Sequence, residues 1–255
     1  MRRRVTESEH VIEVDALTKY YGELAAVSQL SFRVDAGDVL GLVGPNGAGK
    51  TTTLRSLAGI ITPGSGAIRI AGHDMALEPQ QAKQELAFVP DEPQLFDYLT
   101  VDEHLRFIVR LYGVGDALAE IDPLLEELEL TDKRNALPGE LSRGMKQKLA
   151  IACGLLHRPR ALLLDEPLTG LDPVGIRRMK ATIAERARRG TAVILSSHLL
   201  HLVEELCTRI LIIQNGHLVA LGGISEIIAD RPQLAGRGLE EVFLALTSTR
   251  KIGGA

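Results

Sequence analysis

One eight-residue stretch constrains this chain more than any other. Gly44, Pro45, Asn46, Gly47, Ala48, Gly49, Lys50 and Thr51 fit the pattern G-x-x-x-x-G-K-[ST] at every position. The stretch follows the continuous apolar run Val39–Val43 and leads into Thr52, Leu54, Leu57 and Ala58 at helical spacing. A strand, a glycine loop and a helix in that order form a cradle for phosphate. The glycines let the backbone curl until successive N–H groups turn inward. The helix adds the positive end of its dipole. Lys50 supplies a point charge for β- and γ-phosphates, and the Thr51 hydroxyl suits Mg²⁺. The alternative is a glycine-rich turn that binds nothing, and it leaves the strand and helix on either side unexplained.

A second anchor is the apolar run 161–164 ending in Asp165 and Glu166. In a parallel sheet, ligands sit at the carboxyl ends of the strands. Asp165 is then placed to hold Mg²⁺, directly or through water, and Glu166 to polarise an attacking water. Standing alone, such a run is equally a strand entering a polar turn; beside the phosphate loop it reads as chemistry.

The remaining periodicity sets the fold class. Residues 11–14 and 30–34 alternate at period two, as half-buried strands do. Further short apolar runs occur at 67–70, 161–164, 191–195 and 209–213. Helical patterns fall at 176–189 and 199–206, between the later runs. From Val101 the spacing turns helical, with Leu105, Ile108, Val109 and then Leu124, Leu125 and Leu128. Strands alternating with helices predict a doubly wound α/β sheet carrying a mostly helical insertion over about 93–157.

Composition removes other classes. With 255 residues, 45% hydrophobic and 24% charged, the chain is no collagen, rod or disordered polymer, and is long enough for one large domain with a subdomain. A net charge of −4 argues against a nucleic-acid partner. No apolar run reaches the roughly 20 residues of a membrane span; the richest stretch, 209–224, is broken at Gln214, Asn215, Gly216 and His217. Arg2, Arg3 and Arg4 have no apolar stretch behind them, so no secretory signal is expected and a disordered tail is preferred to a lipid anchor. Cys153 and Cys207 imply no disulfide framework and read as small buried hydrophobes. The pair His198 and His201 lacks a carboxylate to complete a zinc site.

The order of motifs is more specific than any one of them. After the phosphate loop come Leu141, Ser142, Arg143, Gly144 and Met145, similar to the signature LSGGQ; then Asp165 and Glu166; then Leu171 and Asp172, similar to a D-loop; then His198, similar to a switch histidine. On these residues the chain resembles the ATP-binding subunits of ABC transporters, over about 11–246. The resemblance implies an α/β phosphate-loop ATPase fold: a central, mostly parallel sheet, an N-terminal antiparallel β subdomain and an inserted helical subdomain. The expected organisation is 1–92 for the β subdomain and first part of the ATP-binding core, 93–157 for the helical subdomain with the signature, 158–246 for the rest of the core, and 247–255 for a flexible tail.

The resemblance also implies roles. ATP binds at residues 44–52, Thr52 included, with Tyr21 stacking on adenine and Tyr20 as a substitute. Thr51 and Asp165 hold Mg²⁺, and Glu166 and His198 are catalytic. Ser142 and Gly144 act in trans on the nucleotide of a second ATP-binding subunit, identical or a paralogue, and Asp172 contacts that subunit. A separate multispanning permease builds the pathway and docks on the helical insertion, which puts the chain peripherally at the cytoplasmic face of the membrane.

Three positions depart from the family pattern. Asp91 stands where most members carry a glutamine that reaches Mg²⁺; a carboxylate approaches the metal more strongly but adds negative charge beside the phosphates. Arg143 and Met145 replace a glycine and a glutamine of the signature. With Leu239, Glu240, Glu241, Val242 and Phe243 downstream, these departures resemble the type-two, exporting branch. The alternatives are a soluble ABC ATPase remodelling a ribosome, nucleic acid or protein complex, and a kinase or GTPase. The second lacks a guanine-reading NKxD and has no use for the signature.

Overall fold

The computed structural model describes residues 10–229, 234 and 236–248. The arginines at 2–4 and the expected tail beyond 248 lie outside them. Its strands form two sheets. β1 (His10–Tyr21), β2 (Leu24–Asp35), β4 (Ser65–Ile70) and β5 (His73–Asp74) make an antiparallel sheet in the order β2-β1-β4-β5. β3 (Val39–Val43), β6 (Leu86–Val89), β7 (Ala161–Asp165), β8 (Ala192–Ser196), β9 (Arg209–Gln214) and β10 (His217–Gly222) make a six-stranded sheet in the order β10-β9-β3-β8-β7-β6. Every pairing there is parallel except that of the edge strand β10 with β9.

The central strands read as unbroken apolar runs because each feeds two cores. Leu40 and Leu42 of β3, Leu163 of β7, Ile194 of β8 and Leu211 of β9 pack toward the antiparallel sheet. Val39 and Val43, Leu162 and Leu164, Val193 and Leu195, and Ile210 and Ile212 pack toward the helices on the opposite face. Burial on both faces is what a parallel sheet between two layers demands.

The phosphate loop joins β3 to α1 (Lys50–Leu57). α2 (Pro79–Gln84) precedes β6, and residues 90–100 carry no helix. The segment 101–155 then holds α3 (Val101–Tyr112), α4 (Ile121–Glu127) and α5 (Arg143–Leu155), joined by short 3₁₀ turns. α3 starts at a reciprocal cap: Thr100 Oγ1 accepts from Glu103 N–H while Glu103 Oε2 accepts from Thr100 N–H at 2.7 Å. α6 (Pro173–Arg188) and α7 (Leu200–Leu206) are the crossovers from β7 to β8 and from β8 to β9. α8 (Ile224–Ala229) and α9 (Leu239–Ser248) follow β10, so Thr247 and Ser248 are still helical.

Several elements exceed the sequence pattern. β1 and β2 run twelve residues each, because Ala16 and Gln29 turn left-handed (φ 48° and 47°) at register shifts that interrupt strict alternation. β10 arises where Asn215 (φ 50°) and Gly216 turn the chain back on β9; these residues break an apolar run by making a hairpin. No helix among the described residues is long and apolar enough to cross a membrane. Cys153 and Cys207 are free, and burial pushes both thiols up to about 12.

Candidate active site

The carboxyl ends of β3, β7 and β8 face the start of α1 across one cleft of about 680 Å³. Its floor is the phosphate loop. Gly49 takes φ 107°, and a Cβ there would stand 2.3 Å from the Ala26 carbonyl oxygen of β2, so only glycine lets the loop pass beneath that strand. Gly49 also caps α1 without a side-chain acceptor, leaving the first N–H groups of the helix to an anion. The Lys50 ammonium donates to the Gly44 and Pro45 carbonyls at 2.8 and 3.3 Å. Desolvation lowers its pKa, against the opposing fields of Glu166 and Asp165. The cation is held in the loop by carbonyls that a phosphate can replace.

The acid side of the cleft is more tightly built. Asp165 closes β7 and is 4% exposed. Its Oδ2 accepts from the Thr51 hydroxyl at 2.9 Å and its Oδ1 from the Ser196 hydroxyl at 2.5 Å. Ser196 Oγ in turn accepts from the Glu166 N–H at 3.1 Å, and the Ser196 carbonyl accepts from the same N–H at 3.2 Å. Glu166 is left-handed, φ 51°, a conformation that costs energy in a non-glycine residue and that the Ser196 bonds support. Glu166 Oε2 accepts from His198 Nδ1 at 2.9 Å and from the His198 backbone N–H at 3.4 Å.

The donors suit one metal. Thr51 and Asp165 offer hard oxygens side by side at the cleft floor, the arrangement Mg²⁺ takes when phosphates and waters complete its shell. No group of three or more His, Cys, Asp or Glu among the described residues could hold a metal by itself.

The sequence-based site residues divide in two. Tyr21, residues 46–52, Asp91, Asp165, Glu166 and His198 line the cleft. Tyr21 is half exposed at the rim, with the Lys19 ammonium 5.6 Å from its ring centroid; Tyr20 is not among the lining residues. Gly44 and Pro45 lie behind the lining, their carbonyls turned to Lys50, and Ser142, Gly144 and Asp172 are not there either. Ser142 caps α5, accepting from the Met145 N–H at 3.2 Å, and a Cβ on Gly144 would meet the Gly170 carbonyl at 2.8 Å. Asp172 caps α6 through the Gly175 N–H at 2.7 Å. Asp91 pairs with Arg143 at 2.9 Å. Ser196, which joins Asp165 to Glu166, was missed from the sequence. Its only sign was a pair of serines directly before His198.

The family model described as ABC transporter matches residues 27–169. Nod factor export ATP-binding protein I of Paraburkholderia xenovorans is 40% identical over 223 residues, covering 87% of this chain and 73% of the relative. The ABC-type transporter ATP-binding protein EcsA of Bacillus subtilis is 32% identical over 239 residues, covering 93% and 96%. A solved structure of an ATP-binding subunit of an ABC transporter superposes with a TM-score of 0.89 at 34% identity, covering 93% of this chain and 99% of that one.

Proposed function

Because the chain belongs to the ATP-binding subunits of ABC transporters, which hydrolyse ATP coupled to transport, we propose that it works as half of a head-to-tail ATPase dimer powering a separate multispanning export permease. One observation carries this reading. The phosphate loop and the signature of a single chain do not line the same cleft: Ser142 and Gly144, at the start of α5, are absent from the wall that contains Lys50 and Glu166. A second subunit that presents its own Ser142 and Gly144 completes the wall.

In this reading the phosphate loop and Lys50 hold the triphosphate, and Tyr21 stacks on the base. Thr51 and Asp165 hold Mg²⁺, which when bound neutralises phosphate charge. Glu166 orients a water and takes its proton as the oxygen bonds to the γ-phosphorus and the bond to the β-phosphate oxygen breaks. His198, held by Glu166, donates toward the γ-phosphoryl oxygens. Positioning and electrostatics supply most of the acceleration. ATP drives closure through its greater affinity for the closed dimer.

Residues 93–157 carry the permease contact in this reading, and Phe96, Tyr98 and Leu111 among them are exposed. That docking puts the chain peripherally at the cytoplasmic face. Relatives named for Nod factor export and linearmycin resistance support the outward direction. Turnover per molecule should rise with protein concentration in dilute solution; a monomeric preparation with turnover indifferent to dilution overturns the dimer.

Ser196 offers a further test. Ser196→Ala removes the hydroxyl shared by Asp165 and the Glu166 backbone. Groups that orient metal ligands are worth about 10- to 100-fold. Steady-state hydrolysis should fall by that factor, while ATP binding without Mg²⁺ stays within about twofold.

A further inference from the structure

The cleft is acidic before any nucleotide enters. Among the side chains lining it, Asp91, Asp165 and Glu166 are acids, and Lys50 is the one permanently cationic group. ATP brings further negative charge. Two acids have partners close at hand: Asp165 takes hydrogen bonds from Thr51 in the cleft and from the buried Ser196 behind it, and Glu166 from His198. Asp91 is answered from outside, by Arg143 Nη2 at 2.9 Å from its Oδ1.

Arg143 is an odd residue for its own helix. It is the first residue of α5, where the dipole disfavours a cation, and no acid stands in that first turn. Its side chain leaves the helix and crosses Gly170, whose Cβ, were there one, would lie 3.3 Å from Arg143 Cδ. It ends on Asp91, 52 positions away in sequence. Two of the three positions at which this chain departs from the family pattern, Asp91 and Arg143, thus meet in space with opposite charges.

We propose that Arg143 is the resident counter-ion of Asp91. It neutralises the acid at the wall of the cleft, so that the polyanionic tail of ATP can enter. It also ties the start of the signature helix to the nucleotide cleft of the same chain. Arg143 acts through Asp91 and touches no reacting atom; it is a positioning residue. The inference rests on ATP occupying this cleft.

The test is a charge cycle read as binding of a fluorescent ATP analogue in EDTA at low ionic strength, without turnover. Arg143→Gln leaves Asp91 uncompensated and should weaken binding about three- to fivefold, the range of an exposed pair. Asp91→Asn together with Arg143→Gln should restore wild-type affinity, Arg143→Lys should retain most of it, and the Arg143→Gln defect should shrink as salt is raised. A purely packing role for Arg143 would be neither rescued at position 91 nor salt-dependent. Wild-type affinity in Arg143→Gln, or a double variant as weak as the single one, overturns the proposal. Failure of the wild-type protein to bind the analogue would overturn the reading of the cleft as well, so the two failures are distinguishable.

Discussion

Glu166→Gln is expected to abolish turnover while leaving ATP bound. The replacement keeps the shape of the side chain and an oxygen for the His198 ring, so the left-handed turn and its bonds to Ser196 persist. What disappears is the carboxylate that, in the proposed mechanism, takes the proton of the attacking water. Loss of a general base costs about 10²- to 10⁴-fold, and phosphate release should fall by that much. With hydrolysis blocked, the closed state has no exit, and an ATP-dependent dimer should accumulate on size-exclusion chromatography. Hydrolysis at the wild-type rate would remove Glu166 from the mechanism; slow hydrolysis without a trapped dimer would detach closure from ATP.

Lys50→Ala is expected to fail one step earlier. The ammonium is half-buried in the loop and bonded only to backbone carbonyls there, at Gly44 and Pro45. Desolvation already penalises its charge, and a bound triphosphate would relieve that penalty. A hydrogen bond to a charged group contributes about 1.5–3 kcal/mol, so losing one or two of them should weaken ATP binding by about a hundredfold or more. Equilibrium titration with a labelled nucleotide measures this. Thermal unfolding should barely change, because the side chain joins parts of one loop and supports neither core. Unaltered nucleotide affinity would mean that the cleft does not bind phosphate at this loop.

These two residues were legible because their chemistry is local. Glu166 follows the apolar strand β7 directly and Lys50 closes the glycine loop that follows β3; both strands bury both faces, so their sequences are unbroken apolar runs with abrupt ends. The antiparallel sheet was harder to read. β1 is interrupted at Ala16 and β2 at Gln29, and each left-handed residue resets the alternation that marks a strand. β6 has only four residues, too few for a period to stand out. Asn215 and Gly216 read as an interruption of an apolar run, although an Asn-Gly pair between two apolar runs is itself a hairpin signal. The order β10-β9-β3-β8-β7-β6 and the meeting of Asp91 with Arg143 depend on contacts between distant segments, which no local pattern records. Ser196 belongs with these: its hydroxyl matters only because β7 and β8 are neighbours in register, Asp165 beside Ser196.

The double-sided sheet has a practical consequence for anyone wishing to shorten the protein. Deleting β1 and β2 would uncover Leu40, Leu42, Leu163 and Ile194, all fully shielded in the intact chain. A fragment cut down to the nucleotide loop and its parallel strands would therefore come out of the cell as aggregate, and smaller working versions have to be sought by shortening surface connections instead.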